Sequence, residues 1–258
     1  MTKRLEGLAA IVTGGAGGIG TAVGLLFCEE GASVLLVDRD RDATEAAAHA
    51  IREQVPGARV AHAGLDLATE AAAAEAVALS KEAFGRLDCV VNNAGIRAYE
   101  PLAEARAETW HAIIAVNLLS YAYLAREALP DLRASPAASI VNVSSTHAFN
   151  PRAGMGQYDV TKAGIVSLTR TLAAEEASRG VRVNAVCPGP TLTPFHIRRG
   201  EADGRSRGDL ETERRRDCLM ERWGTPREAA YPILWLASPE ASFVTGTAIM
   251  VDGGMPVI

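Results

Sequence analysis

Residues 142–162, NVSSTHAFNPRAGMGQYDVTK, hold two adjacent serines, a histidine, a tyrosine and a lysine. Tyr158 and Lys162 are four apart, so on a helix they share a face and the ammonium comes close to the phenol. That proximity matters because a phenol with its ordinary pKa of about 10 is not a base near neutral pH unless a cation stabilises the phenolate. Ser144 and Ser145 each offer a hydroxyl that could orient a carbonyl or alcohol. His147 invites a Ser-His nucleophile, but neither serine sits in a G-x-S-x-G elbow, so it is read as a candidate substrate contact. The other histidines, His49, His62, His111 and His196, show no ligand spacing, and Cys28, Cys89, Cys187 and Cys218 form no C-x-x-C. No metal site is expected, and the cysteines are read as free structural thiols.

These side chains need a scaffold, and the pattern supplies one. Apolar runs recur at 8–14, 32–38, 58–64, 87–93, 138–145, 181–187 and 247–253. They lack polar alternation, as strands buried on both faces do. Helical periodicity fills the gaps: Ala22, Val23, Leu26 and Phe27 follow Ile19 at spacings of three and four, and Gly31 is a stop signal. β then α, repeated about seven times, predicts an α/β chain with one open, doubly wound sheet and helices on both faces. No linker divides residues 1–258, so one domain is expected. The segment 196–222 breaks the rhythm with eight arginines among seven carboxylates. A solvated mixed-charge helical excursion is the stronger reading of it, and a substrate lid at about 194–222 stays open.

The first strand runs into 13-TGGAGGIG-20. Glycines there let the chain turn tightly and bring its backbone close to a pyrophosphate at the positive end of the following helix. Asp38, 18 residues past Gly20, ends the second strand. A carboxylate there accepts hydrogen bonds from adenosine ribose hydroxyls and repels a 2′-phosphate, which favours NAD over NADP. Arg39 and Arg41 are a counter-signal. Net charge is −5 over 258 residues, which argues against nucleic acid as a partner. No apolar run approaches the roughly 18 residues that span a bilayer, and the N-terminus lacks a signal-peptide pattern. A cytoplasmic protein acting on a small molecule is expected.

Together the TGGAGGIG turn, 92-NNAG-95, Asn117, Ser144-Ser145, 158-YDVTK-162 and 187-CPGPTLT-193 resemble the short-chain dehydrogenase/reductase family, in order and spacing, through to the terminal VTGTAIMVDGG. The resemblance implies a Rossmann-type seven-stranded parallel sheet, commonly in a homotetramer. It implies that Tyr158 is the general acid/base, that Lys162 lowers its pKa and holds the nicotinamide ribose, and that Ser145, thirteen positions before the tyrosine, orients the substrate. Asn117 would position a water beside the lysine. Cofactor contacts are implied for Gly14, Gly17, Gly18, Ile19 and Gly20 in the turn, for Asp38, Arg39, Asp66 and Leu67, for Asn93, Ala94 and Gly95, and for Pro188, Gly189, Thr191 and Thr193. Two positions depart from the family pattern: Val160, expected to be a tolerated packing change, and Thr146-His147 after the serine.

The expected reaction is hydride transfer between NAD(H) and a secondary alcohol or ketone. Arg97, His147, Phe149, Arg152, Gln157 and His196 are candidate pocket residues, and so polar a set suits a sugar, polyol or hydroxy acid. An NADPH-dependent 3-oxoacyl thioester reductase shares nearly every motif and is opposed by Asp38. A non-catalytic NAD(H) sensor on the same fold is opposed by the intact Asn117, Ser145, Tyr158 and Lys162 set.

Overall fold

The structure is a computed structural model that describes residues 3–255. Strands β1 (Ala9–Thr13), β2 (Ser33–Asp38), β3 (Val60–Gly64), β4 (Cys89–Asn92), β5 (Ser139–Val143), β6 (Arg182–Pro188) and β7 (Ala248–Val251) coincide with the seven apolar runs. They pair in parallel in the order β3-β2-β1-β4-β5-β6-β7. Connecting them are α1 (Gly18–Glu29), α2 (Arg41–Gln54), α3 (Glu70–Phe84), α4 (Ala107–Ile114), α5 (Ser120–Leu132) and α6 (Gly156–Glu176). Beyond β6 come α7 (Pro194–Ala202), α8 (Arg207–Glu211) and α9 (Pro226–Ala237).

Alternate residues along each strand enter opposite cores. Ala10, Val12, Leu36 and Val91 pack with α1 and α9, whereas Ile11, Leu35, Val37 and Val90 pack with α3 and α5. Burial on both faces is why these strands read as continuous apolar runs. The strand order reverses between β1 and β4, so their C-terminal ends open a crevice where such sheets hold ligands.

Residues Ala107–Leu132 form one continuous 26-residue helical stretch whose length and composition would suffice to cross a membrane. It is longer than the apolar runs of the sequence suggest. Here it is a core helix, with Tyr121, Leu124, Ala125, Ala128 and Leu132 buried. Its middle, Ala115–Leu119, is a π-helical turn, a local widening frequently found at functional sites.

Asp88, buried just ahead of β4, ties three elements together. It accepts the Ala9 amide at 2.8 Å, both Nε and Nη2 of Arg86 at 2.7 Å, and the Ser135 hydroxyl. Burial alone would raise its pKa, but the hydrogen bonds from Arg86, Ser135 and Ala9 outweigh it and hold the carboxyl below its ordinary value. A depressed carboxylate stabilises the fold above its unfolded pKa, and that contribution is lost as pH falls through the folded one. Asp88→Ala should therefore lower stability by about 3 kcal/mol at pH 7. In denaturant titrations the deficit should shrink as pH drops below about 4.

Candidate active site at the β1–β4 crevice

The glycine turn leaves little room beside its backbone. Gly14 holds φ at +64°, and a Cβ there would lie 2.7 Å from the Asn93 amide nitrogen. On Gly20 a Cβ would stand 2.0 Å from the Gly14 carbonyl oxygen. Helix α1 starts beyond this turn with no side-chain cap and no acid in its first turn, so its N–H groups are open to an anion. Asp38 stands at the end of β2 with one oxygen 3.3 Å from the Ala16 amide. These features fit the pyrophosphate and ribose of a dinucleotide.

A cleft of about 550 Å³ runs from this turn across the strand ends. Gly14, Gly17, Gly18 and Ile19 line it, with Asp38, Arg39, Asp66 and Leu67 on one side. Asn93, Ala94 and Gly95 form its floor, and Pro188, Gly189, Thr191 and Thr193 lie toward the far end with Ser145, Tyr158 and Lys162. Gly20 is not on the wall. It is buried behind the turn, and its lack of a side chain lets the Gly14 carbonyl approach. Asn93 faces the cleft but spends its amide holding the turn, donating to the carbonyls of Thr13 and Gly14.

Helix α6 carries Tyr158 and Lys162, both buried. Lys162 Nζ donates to the Val143 carbonyl at 2.9 Å and stands 5.5 Å from the Tyr158 ring centre. Burial, aided by the charge of Arg97, pushes the Lys162 pKa down to about 7. Burial raises the Tyr158 pKa, while Arg97 and the Ser145 hydroxyl pull it back only partly. Arg97 Cζ is 5.3 Å from the Tyr158 ring centre, so two cations rather than one face this phenol. Of the two serines, Ser144 donates to the Lys162 carbonyl at 2.7 Å, whereas Ser145 ends at the junction of two cavities.

Asn117 sits in the π-helical turn. Its Oδ1 accepts the Ile96 amide at 2.8 Å, and its Nδ2 donates to the Ile96 carbonyl and to Thr161 Oγ1. A Cβ on Gly95 would lie 3.5 Å from Asn117 Oδ1 and 3.6 Å from Lys162 Nζ, so both side chains meet at one backbone position.

The second cavity, about 510 Å³, shares Arg97, Ser145, Gly189 and His196 with the cleft. His147 and Arg152 line it as well. His147 donates from Nδ1 to Asp159 at 2.8 Å and packs edge-on against Tyr158. Its pKa is lowered by burial, against the opposing pull of Asp159. Gln157 is a correction to the sequence expectation: it is fully buried, donates to Glu100 at 3.0 Å and does not reach the cavity. Phe149 is half exposed and off the lining, and Val160 points to solvent instead of packing. Helices α7 and α8 form part of the cavity wall, with Leu210 packed against Gly200. Arg199, Arg205 and Arg215 of this excursion face the cavity, so the segment is more than a solvated face.

Sequence reasoning passed over Tyr121, whose hydroxyl lies 3.1 Å from the carbonyls of both Ala94 and Val143. Its place four residues after Asn117 was the available signal. It also missed Asp159, the partner of His147, although Asp159 is adjacent to Tyr158 in the chain.

A family model described as Enoyl-(Acyl carrier protein) reductase matches residues 14–256. A protein of Aspergillus oryzae named short chain dehydrogenase/reductase astE is 36% identical over 260 residues, covering 98% of this chain and 97% of that one. The 3-oxoacyl-acyl-carrier-protein reductase FabG of Thermotoga maritima is 38% identical over 258 residues, covering 98% and 100%. The crystal structure of L-sorbose reductase from Gluconobacter frateurii, complexed with NADPH and L-sorbose, superposes with a TM-score of 0.92 at 33% identity. That superposition covers 99% of this chain and 98% of the other.

Lysine titration gives a stability test. A lysine whose folded pKa is depressed destabilises the fold fully below that pKa, and the penalty fades as pH rises toward the unfolded value of about 10.4. Lys162→Met should therefore raise the apo-protein Tm by about 2–4 °C at pH 6. By pH 10 differential scanning calorimetry should find that gain gone.

Proposed function

The chain belongs to the short-chain dehydrogenase/reductase family and is an NAD(P)-dependent oxidoreductase acting on alcohol and ketone groups. From that premise we propose that it moves hydride between NAD(H) and a small polar substrate, a sugar, a polyol or a hydroxy acid. The observation that carries the proposal is the meeting of the two cavities at Ser145 and Arg97, beside Tyr158. A bound nicotinamide supplies the hydride acceptor or donor. In the oxidative direction Tyr158 takes the hydroxyl proton of the alcohol, and in reduction it returns one to the carbonyl oxygen. Ser145 holds that same oxygen by hydrogen bonding, and Lys162 and Arg97 favour the phenolate. Asn117 fixes the Ile96 backbone beside Lys162, which supports the reading, implied by the family resemblance, that it positions a water for proton relay.

The preference for NAD over NADP is supported by Asp38, which ends β2, lines the cleft and lies 3.3 Å from the Ala16 amide, since a carboxylate there accepts ribose hydroxyls and repels a 2′-phosphate. Arg39 lines the same end and is the residue through which NADP could be accepted. A thioester reductase is the second reading, supported by the identity to the Thermotoga reductase, and the arginine-rich lining of the cavity opposes an acyl chain there. The working form is taken to be a cytoplasmic homotetramer, as the sequence and the family resemblance lead one to expect, and light scattering on the purified protein tests the assembly.

Three experiments test this reading. A spectrophotometric panel of sugars, polyols, hydroxy acids, steroids and acyl thioesters with NAD(H) and NADP(H) should show turnover on the small polar compounds; activity confined to steroids or thioesters would refute the substrate class. Tyr158→Phe should lower kcat by about a thousandfold or more while nicotinamide cofactor affinity, read by fluorescence titration, changes little. Asp38→Ala should shift the NADPH-to-NADH preference toward NADPH by about tenfold or more, and an unchanged ratio would disconnect Asp38 from cofactor choice.

A further inference from the structure

The cavity beside Ser145 has a charge imbalance that a neutral sugar or polyol does not explain. Five arginines line it, Arg97, Arg152, Arg199, Arg205 and Arg215, against the single carboxylate of Asp203. Three of the five have carboxylate partners outside the lining: Arg215 holds Asp217 with two nitrogens, Arg205 reaches Glu213 at 3.3 Å, and Arg152 is 3.9 Å from Asp217. Arg97 and Arg199 make no ion pair among the described residues. Both are gathered by Tyr99. Arg97 Nη1 donates toward its hydroxyl at 3.4 Å, and the Arg199 guanidinium lies 4.1 Å from its ring centre.

Arg97 is also aimed. Its Nη1 lies 3.3 Å from His196 Nε2, which must accept, so the His196 proton is on Nδ1 and donates to Thr193 Oγ1 at 2.9 Å. Burial, then the charges of Arg97, Arg215 and Arg199, drives the His196 pKa down to about 4, so the ring stays neutral and able to accept. A neutral histidine thus positions an arginine over the Tyr158 ring, from a loop that also lines the cofactor cleft. Two guanidiniums near each other without a counter-ion repel, and an oxyanion between them removes that repulsion while accepting paired N–H donors.

We infer that Arg97, with Arg199 behind it, forms a carboxylate subsite, and that the substrate is a hydroxy or oxo acid whose carboxylate lies one or two carbons from the reacting carbon. The spacing follows from Arg97 standing beside the same phenol that serves the reacting oxygen. This rests on the oxidoreductase reading and narrows its three substrate classes to one.

The test uses full-length wild type, Arg97→Met and Arg97→Lys. Lactate and 3-hydroxybutyrate are compared with their methyl esters and with sorbitol, and the readout is the acid-to-ester ratio of kcat/KM. That ratio is insensitive to any effect of Arg97 on Tyr158, because both substrates use the same acid/base. A second readout needs no turnover: calorimetric binding of pyruvate and acetoacetate to protein holding the oxidised cofactor. Wild type should prefer at least one acid over its ester by about a hundredfold, Arg97→Met should lose that preference and the matching oxo-acid affinity, and Arg97→Lys should recover part of both. Turnover of esters or sorbitol in preference to acids would overturn the carboxylate subsite and leave the oxidoreductase reading standing. So would wild type that binds neither oxo acid, or an Arg97→Met variant with an unchanged ratio. Failure to bind either NAD(H) or NADP(H) would overturn both.

Discussion

The crevice depends on a short set of hydrogen bonds across the gap where the sheet reverses direction. Thr13, the last residue of β1, accepts the amides of Asn93 and Ala94 on its hydroxyl, while Asn93 returns its side-chain amide to the Thr13 and Gly14 carbonyls. From Ala94 the Tyr121 hydroxyl bridges to Val143, and Val143 accepts Lys162. Burial keeps the Tyr121 phenol protonated and therefore a donor. The ends of β1, β4 and β5 and the Tyr158–Lys162 face of α6 are linked by this chain. A cleft at strand ends has no sheet hydrogen bonds to set its width, so side chains must do it.

Electrostatics within that frame are a contest between burial and fixed cations. Burial acts against charge on both partners of the Tyr158–Lys162 pair, raising the phenol and lowering the ammonium. Buried and with Arg97 nearby, the lysine is itself half-titrated near neutral pH. Arg97 differs because a guanidinium stays protonated, so it supplies a positive charge beside Tyr158 that does not fade with pH. The same charge opposes protonation of Lys162 and His196. One residue therefore biases three titrating groups, Tyr158, Lys162 and His196.

The parts legible in the sequence were those encoded locally. Seven strands were visible because parallel strands buried on both faces leave an unbroken apolar run, and the glycine turn because Gly14 and Gly20 need the absence of a Cβ. Tyr158 and Lys162 were visible because an i,i+4 pair is a helical contact in itself. Contacts between distant segments left no such mark. Gln157, next to Tyr158, turns inward to Glu100, a pairing across 57 positions that no spacing rule could indicate. Nor could alternating charges in 196–222 show which arginines would find carboxylates: of two arginines with an acid four residues on, Arg207 pairs with Glu211, whereas Arg199 passes over Asp203 and stacks on Tyr99.

This difference in legibility has a physical basis in how the two cavities are built. The cofactor side is assembled from strand ends and the loops directly after them, positions fixed by sheet register and therefore dictated by the elements themselves. The cavity proposed for the substrate draws on separated stretches, among them the loop after β4, the segment before α6, the turn after β6, the excursion of α7 and α8, the Trp223 region and Met255. They are joined by stacking, with Arg215 4.0 Å over Trp223, Trp223 against His196, and Arg97 between Phe195 and Tyr158. Side-chain stacks of this kind can be rebuilt without disturbing the sheet, because no backbone ladder passes through them. The cleft that fits a dinucleotide thus rests mainly on register-bound backbone, whereas the second cavity is shaped by side chains whose partners are set only when the chain has folded.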